Sequence, residues 1–484
     1  MSPQSLLFSV LAYFGLLYAV AWRTSRGARN ADFFVGSRNS PWPLVAFGMI
    51  GTALSGVTFV SVPGSVGSDG FTYLQVVLGQ TLGYAIVALI LLPVYYRLGH
   101  VSIYAWLAGR LGDWGWQTAA VFFIISRTLG ATARLYLVIR ILQDISFDIL
   151  GVPFAASTLV IIAMIMLYTW RGGVKTIVWT DTLQTAGMLF GLVACIVFVH
   201  NALPMSHHAI FARLHELGLT RLWGAAPEAR DFWLKQIAAG IAIGIAMTGM
   251  DQEQMQKNIS VRSLAESRIN MMVTGIAMMI VVAAFLLLGA LMTLFAQVNG
   301  LDARGDRLFP AVVMGYLPAG LQLVFVIALI SALFPSADGA LTALTSSCCN
   351  DVLRFEQRTD MDEAARTRLR TRIHLGFAVL FVALTVVFRW IDDPSMIGLI
   401  LKIAAYTYGP LFGLSAFGLL SKRGARGPLI AVAALSAPLL CLALDAIQAR
   451  IFDTYRIGLE MLLINAAVTY TLLWLVSRVR PAAA

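Results

Sequence analysis

The chain of 484 residues is 59% hydrophobic and only 12% charged, and its formal net charge is +10. Soluble domains carry about a quarter charged residues, so this composition excludes an ordinary soluble protein and indicates an integral membrane protein with many spans. The positive charge does not require a nucleic-acid partner, because basic loops between the spans account for it. The four cysteines show neither a disulfide framework nor a zinc-binding spacing.

Apolar runs of membrane length recur along the whole chain and predict about thirteen transmembrane helices, at roughly 20 residues for each crossing. The first run lacks a preceding basic region, so we interpret it as a retained span and not as a signal peptide. The segment 200–235 is too polar to span, and we expect it to form a short helical cover on the outer face. The runs fall near residues 5–22, 43–68, 73–96, 115–142, 150–170, 176–199, 236–256, 270–297, 320–350, 374–391, 396–420, 428–446 and 458–477.

Basic residues concentrate in alternate loops, and this orients the chain because cytoplasmic loops are enriched in Lys and Arg. The short loops of the other set are nearly free of bases. We therefore place the amino terminus outside and the carboxyl terminus in the cytoplasm, in a cell (inner) membrane. The basic loops hold Arg23, Arg26, Arg29 and Arg38, then Arg97 and Arg110, Arg171 and Lys175, Lys257, Arg262 and Arg268, the cluster at 354–372, Lys422, Arg423 and Arg426, and finally Arg478 and Arg480.

The stretch 331–339, with the sequence SALFPSADG, lies inside the ninth apolar run. Pro335 has no N–H, and its ring displaces the carbonyl four residues earlier. We therefore expect Pro335 to break the helix and to free the carbonyl of Ser331. That carbonyl, the Ser336 hydroxyl and the Asp338 carboxyl would gather oxygens at membrane depth, which is what a small hard cation requires.

The second run carries four helix breakers and a hydroxyl at every third position. Hydroxyls can bond back to their own helix, but together with the breakers they predict an unwound stretch whose carbonyls face a cavity, as in secondary transporters. In the third run Gln75 and Gln80 either bind a solute or only bridge helices. The breakers are Gly51, Gly56, Pro63 and Gly64, and the hydroxyls are Thr52, Ser55, Thr58 and Ser61.

Of all the bases, only Arg127, Arg134, Arg140 and Lys402 fall within the predicted spans. A charge at mid-bilayer costs about 2.5–3.5 kcal/mol on insertion scales, so it should face a cavity or a partner. Arg127 and Arg134 are seven residues apart on nearly one helical face. They would contact an anionic substrate, form a gate ion pair, or pair structurally with carboxylates or carbonyls, whereas Arg140 and Lys402 can snorkel.

Asp181 lies near the predicted cytoplasmic end of its span. A carboxylate there could assist a cation site, carry a proton, pair with an arginine, or simply be solvated at a helix end. The chain contains no phosphate-binding loop, nucleophile elbow or zinc-binding helix motif. We therefore expect no catalytic residues, and transport would be driven by an ion gradient or would be passive.

Five sequence blocks follow one another at a consistent spacing: 31–42 (ADFFVGSRNSPW), 172–184 (GGVKTIVWTDTLQ), 249–257 (GMDQEQMQK), 308–310 (LFP) with 331–351, and 408–413 (YGPLFG). Together they resemble the sodium:solute symporter family, which includes sodium-coupled carriers of proline, sugars, sialic acid, pantothenate and iodide. The resemblance covers about residues 32–425, which is most of the chain.

The resemblance implies an all-α integral membrane protein with a leucine-transporter-like core, an inverted repeat of five plus five helices, with one helix before it and two after. We treat 1–484 as one polytopic domain with a leading segment 5–42, a core 43–420 and trailing helices 421–484. The resemblance also implies a sodium site between the first and eighth core helices. Its ligands would be the carbonyls of Gly51, Leu54 and Ala332 and the side chains at positions 335 and 336.

The chain departs from this pattern at two positions. Pro335 stands where the family usually has a hydroxyl residue; Ser336 remains, and the Ser331 carbonyl would replace the missing oxygen. Some members have a second sodium site, which here would use Asp181 with positions 338 and 339, but Gly339 offers no side chain. Asp181 and Asp338 are therefore kept as candidates for a second cation site or for coupling.

The candidate substrate-binding residues suit a solute that carries a carboxylate. Sugar carriers of the family have aromatic residues where this chain has Met247 and Thr248, which argues against a sugar. The candidates are Ser55, Thr58, Gln75, Gln80 and Arg134.

We therefore predict a sodium-coupled symporter of a small organic solute that works by alternating access in the lipid bilayer, with Na+ and the solute as partners and no nucleic acid. Two alternatives stay open here. One is proton-coupled or uncoupled transport on the same fold, if Pro335 abolishes the sodium site. The other is a membrane solute sensor, which we disfavour because no signalling domain follows.

Overall fold

The computed structural model of the chain describes residues 3–24, 40–98, 102–358, 360–391, 395–425, 427–452 and 454–479. Within these ranges the chain is almost entirely helical, and two short strands, β1 (Arg423–Gly424) and β2 (Arg478–Val479), pair antiparallel. Residues 31–39 of the first predicted block lie outside the described residues, as do the predicted loop bases Arg26, Arg29, Arg38, Arg426 and Arg480.

The α-helices are the principal elements of the described residues. Four π-helical turns, Val87–Leu91, Gln143–Phe147, Ile245–Gly249 and Cys348–Val352, extend or join them. The helices are α1 (Pro3–Thr24), α2 (Trp42–Ala53), α3 (Gly56–Asp69), α4 (Tyr73–Ile86), α5 (Leu92–Leu98), α6 (Ala108–Leu142), α7 (Phe154–Ala202), α8 (His207–Glu216), α9 (Trp233–Gly244), α10 (Gln252–Asn258), α11 (Leu264–Val298), α12 (Leu308–Tyr316), α13 (Ala319–Ser347), α14 (Glu363–Phe388), α15 (Met396–Leu420), α16 (Leu429–Ile451) and α17 (Met461–Val476).

The helices confirm a polytopic membrane protein. Among the described residues, nine helices are long and apolar enough to cross a membrane, and two bent helix pairs raise the number to eleven. Shorter apolar helices at Phe154–Leu167 and Met461–Val476 cover the other predicted spans. The runs predicted at 150–170 and 176–199 lie in one continuous helix, α7, of 49 residues. The count of thirteen spans therefore stays a prediction.

The predicted interruption of the second span is confirmed, and it is only two residues long. Helices α2 and α3 are bent by 56° across Leu54 and Ser55. Leu54 has ψ 79° and Ser55 has ψ 170°, so neither residue continues the helix. Pro63, in contrast, lies inside α3 and does not end it. The break is confined to these two residues, because the Leu54 N–H still donates to the Ile50 carbonyl (2.8 Å) and the Ser55 carbonyl accepts from the Phe59 N–H (3.0 Å).

A second broken span, which the sequence analysis did not identify, lies at residues 250–251. Helices α9 and α10 are bent by 68° there. Asp251 caps α10, because its Oδ1 accepts hydrogen bonds from the backbone N–H groups of Glu253 (2.9 Å) and Gln254 (3.2 Å). The two bent pairs each begin a set of five predicted spans, as an inverted repeat requires.

Helix α13 contradicts the expected break at Pro335. The helix runs without interruption from Ala319 to Ser347 with Pro335 inside it. A proline is tolerated in a membrane helix when neighbouring groups satisfy the backbone that it frees, and every residue from Ala328 to Ser347 is buried in the protein. The segment 331–339 therefore faces the protein interior and not the lipid.

Close contact between α4 and α9 depends on glycine. A Cβ atom at Gly79 would lie 2.2 Å from the carbonyl oxygen of Ile237 and 2.9 Å from the Cα atom of Gly240. Small residues allow helix backbones to approach in this way in membranes. The contact joins the span that follows the first break to the span that contains the second.

We expect Gly79→Ala to destabilise the protein by about 1–3 kcal/mol, because the added methyl group forces two backbones apart. Gly376→Ala in α14 is the matched control, since nothing lies within 4 Å of a Cβ there. It should be neutral or stabilise by up to about 1 kcal/mol. Thermal unfolding of the two purified variants measures the difference, and equal unfolding temperatures would contradict this account of the contact.

Candidate functional site

The first break lies against the centre of α13. A Cβ atom at Gly56 would lie 3.9 Å from the carbonyl carbon of Ala332. Leu54, Ala332 and Ser336 are all buried, with at most 1% of each exposed. The fold thus brings two parts of the predicted sodium site, the broken helix and the stretch 331–339, into the same region.

Gly51 and Ser331 of this region are packed against other elements. A Cβ atom at Gly51 would lie 2.0 Å from Oγ1 of Thr185, so this glycine allows α2 to lie close against α7. The Ser331 hydroxyl is 2.7 Å from the Tyr13 hydroxyl of α1. The Ser331 side chain is therefore engaged with α1, away from the break.

The Ser336 hydroxyl donates its proton within α13, and its oxygen can still accept a contact. It donates a hydrogen bond of 2.7 Å to the carbonyl oxygen of Leu333, one turn earlier in α13. A hydroxyl oxygen keeps two lone pairs as an acceptor after its proton is donated. This is the orientation in which a serine can contact a cation.

A central cavity lies beside the first break, between α2, α3, α4, α6, α9, α11 and α15. The space open to the centre of a water molecule is about 90 Å³, enough for several waters because one needs about 10–15 Å³ on this measure. Four of the five predicted substrate-binding residues line the cavity: Ser55, Thr58, Gln80 and Arg134. Residues that the sequence analysis did not select also line it, among them Tyr73, Tyr84, Thr248 and Gln254.

Gln75 is the fifth predicted substrate-binding residue, and it does not line this cavity. Its side-chain amide donates a hydrogen bond of 2.5 Å to the carbonyl oxygen of Leu222. Leu222 belongs to the polar segment 200–235. Gln75 therefore anchors that segment to α4, which is the bridging role that the sequence left open.

Arg127 and Arg134 of α6 both line the cavity, but they differ in their partners. Arg127 is buried and donates a hydrogen bond to Oε2 of Glu253, and its Nη1 lies 3.9 Å from Oδ2 of Asp251. Arg134 lines the cavity and forms no hydrogen bond or salt bridge with any residue that the structure describes. The structural-pairing alternative thus applies to Arg127, while Arg134 presents a positive charge to the cavity.

Lys257 corrects the sequence analysis, which grouped it with loop bases. The residue is only 2% exposed. Its Nζ lies 2.7 Å from Oδ2 of Asp181, 2.7 Å from Oγ1 of Thr52 and 3.6 Å from Oε1 of Glu253. The bend at residues 250–251 turns α10 into the protein, and this carries Lys257 inside. The sequence signal was the block 249–257, where a capping aspartate precedes a Glu–Lys pair spaced four apart.

These pairs form a buried ionic cluster of Arg127, Asp181, Asp251, Glu253 and Lys257. Each member is at most 4% exposed. The Tyr408 hydroxyl of α15 completes it by donating a hydrogen bond of 2.6 Å to Oδ2 of Asp251. The cluster therefore connects α6, α7, α10 and α15, reaches α2 through Thr52, and lies directly beside the central cavity.

The other two bases predicted within spans lie away from the cluster. Lys402 is 3.4 Å from Oδ2 of Asp445, with 65% of its side chain exposed. Arg140 donates a hydrogen bond of 3.3 Å to the Tyr136 hydroxyl. Both long side chains are thus accommodated locally, as snorkelling residues are.

A polytopic helical fold whose two broken spans surround a central polar cavity defines a secondary transporter. A family model described as "Sodium:solute symporter family" matches residues 33–433. The chain belongs to this family, and it is a sodium-coupled symporter of a small solute and not an enzyme.

Relatives and solved structures agree with this family. Sodium-coupled monocarboxylate transporter 1 of Homo sapiens is 24% identical over 437 residues, which span 85% of this chain and 67% of the relative. The sodium/sialic acid symporter SiaT of Proteus mirabilis is 20% identical over 447 residues, spanning 87% and 85%. A solved Na+-coupled sialic acid symporter in an outward-open state has a TM-score of 0.83 at 17% identity, over 98% of this chain and 99% of that one. The predicted inverted-repeat transporter fold is thereby confirmed.

We expect Arg127→Gln to destabilise the protein by about 3–5 kcal/mol, because it leaves buried carboxylates without their counter-charge. Arg213→Gln is the control: this arginine pairs with Glu216 at 3.0 Å, but both side chains are more than half exposed. The control should change stability by less than about 1 kcal/mol. Thermal unfolding in one detergent compares them, and a mild effect of Arg127→Gln would show that the cluster is not held by this pair.

Proposed function

We propose that the protein carries a small carboxylate-bearing solute, together with Na+, through the central cavity. The observation that supports this most directly is Arg134, a guanidinium that lines the cavity without an acidic partner among the described residues. Arg127, seven residues earlier, is already engaged by Glu253. A positive charge that faces a cavity without an acidic partner favours an anionic ligand, and a guanidinium binds a carboxylate through two parallel hydrogen bonds.

The rest of the cavity suits a small molecule with one charged end. Ser55, Thr58 and Gln80 supply hydroxyl and amide groups, while Met247, Ile397, Ile400 and Leu401 supply an apolar wall. The relatives described above are named for monocarboxylate and sialic acid transport, and both solutes are anions. We therefore favour a monocarboxylate of a few carbon atoms.

We place the sodium ion at the first break, between α2 and α13. Its ligands would be the carbonyl oxygens of Gly51, Leu54 and Ala332 and the hydroxyl oxygen of Ser336. The burial of these residues, the approach of Gly56 to Ala332 and the free lone pairs of Ser336 support the site. Pro335 contributes no side-chain oxygen, so the site has fewer ligands than the family pattern and should bind Na+ weakly.

The ion and the solute would be coupled through the broken helices. Ser55 and Thr58 line the solute cavity, and Leu54 belongs to the proposed ion site. Each ligand would stabilise the same arrangement of α2, α3 and α13, and such coupling is reciprocal. Alternating access would follow in a cell (inner) membrane, with the amino terminus outside, the carboxyl terminus in the cytoplasm, and 1–484 acting as one domain around the core 43–420.

Arg134→Gln should lower kcat/KM for uptake of a small monocarboxylate such as propionate by about 10- to 100-fold, because one charged hydrogen-bonding contact is worth about 1.5–3 kcal/mol. Arg134→Lys should recover part of the loss. Lys402→Gln serves as the control, since Lys402 pairs with Asp445 outside this cavity. Uptake is measured in proteoliposomes with a panel of monocarboxylates and one neutral analogue. Unchanged monocarboxylate uptake by Arg134→Gln would refute the assignment.

Ser336→Ala should raise the sodium concentration for half-maximal uptake by about tenfold, which corresponds to one lost ligand worth about 1.4 kcal/mol. Expression should change less. Ser331→Ala is matched in the same helix, because its hydroxyl meets Tyr13 and not the break. If Ser336→Ala responds to sodium like the Ser331→Ala control, the ion site has been misplaced.

A further inference from the structure

A lysine ammonium occupies a buried acidic site beside the proposed sodium site. Nζ of Lys257 lies 2.7 Å from both Oδ2 of Asp181 and Oγ1 of Thr52, and 3.6 Å from Oε1 of Glu253. Thr52 also donates a hydrogen bond of 3.1 Å to Oδ2 of Asp181. Three oxygens from α2, α7 and α10 thus surround one positive charge.

Each of the two acids has one oxygen atom without a hydrogen-bond partner in the part of the chain that the structure describes. Oδ1 of Asp181 and Oε1 of Glu253 are buried and have no hydrogen-bond partner among the described residues. Asp181 is fully buried and Glu253 is 1% exposed. Hard cations take oxygen ligands, carboxylates among them, and Na+ is a hard cation. The site therefore has the chemistry to hold a metal ion if the ammonium were absent.

Helix α13 closes the site on its remaining side. A Cβ atom at Gly339 would lie 2.3 Å from Oε1 of Glu253 and 3.1 Å from Nζ of Lys257. The glycine is thus the residue that admits the lysine and glutamate heads. Asp338 precedes it, and its Oδ1 accepts a hydrogen bond of 2.5 Å from the backbone N–H of Gly339. Among the described residues, the lysine head therefore fills the space between these acids.

We propose that Lys257 is a built-in cation that takes the place of a second sodium ion. This proposal extends the proposed sodium symport, and it depends on the proposed function only for the sodium ion bound at Ser336. One ammonium fills the site of Asp181, Glu253 and Thr52, so a transport cycle uses one sodium ion, bound at Ser336. Removing the ammonium, with Asp181 left in place, opens this site to an alkali cation.

The experiment counts sodium ions bound by the purified full-length protein, using radioactive sodium at equilibrium, and records the Hill coefficient of sodium-dependent uptake. Wild type should bind one ion per chain. Lys257→Met, which keeps the length of the side chain, should bind one ion more and show a steeper sodium response. The double variant Lys257→Met, Asp181→Asn removes the acid as well and should return to the wild-type count.

Lys235→Met is the matched control for a lost lysine, because Lys235 lies 3.9 Å from Glu460, away from the cluster. It should bind sodium as wild type does. The proposal is overturned if the wild-type protein binds two sodium ions per chain. It is also overturned if folded Lys257→Met binds the same number of sodium ions as wild type. Lys257→Met could fail to fold in sodium-free buffer. In that case, folding that is restored by sodium but not by choline would show the gained site. If sodium does not restore folding, the proposal is overturned.

The outcome separates this inference from the proposed symport. If wild type binds no sodium and Lys257→Met binds one ion, the built-in cation stands and the sodium site at Ser336 fails. If wild type binds one ion and Ser336→Ala removes it while Lys257→Met adds none, the symport stands and the inference fails.

Discussion

A charge inside this protein needs a counter-charge or a polar ligand, because the surrounding lipid offers no water to solvate it. The buried ionic cluster sets two bases, Arg127 and Lys257, against three carboxylates at the centre of the fold. Arg127 neutralises Glu253, and Lys257 neutralises Asp181, with Tyr408 donating to Asp251. Since these residues come from different helices, the same contacts that solve the solvation problem also position the broken spans.

The cluster gives the neighbouring cavity its electrostatic character. Because Arg127 is neutralised within the cluster, the charge that remains in the cavity is that of Arg134. Likewise, Lys257 occupies the acids that could otherwise hold a second ion. A transporter of an anion needs a cation in the cavity. Arg134, which has no acidic partner among the described residues, supplies it, while Arg127 and Lys257 are engaged by the carboxylates of the cluster.

Much of the fold was predictable because membrane crossing imposes local rules. The apolar runs predicted the spans, and the glycines and proline of 43–68 predicted a break, which the bend at Leu54 and Ser55 confirmed. The prediction failed at Pro335, because proline's local effect was outweighed by the packing of α13 in the protein interior. It also missed the break at 250–251, since a polar stretch at the end of an apolar run resembles an ordinary loop.

The amino-acid sequence by itself determined that this is a polytopic helical transporter of the sodium:solute symporter family, because hydrophobic length and family blocks are properties of contiguous residues. Only the tertiary structure decided which polar groups meet. Gln75 and Gln80 are alike in sequence, yet one anchors a loop and the other lines the cavity. Lys257 resembled a loop base until the bend in its span carried it to Asp181, 76 residues earlier in the chain. Pairing depends on distance in space, which spacing along the chain does not encode.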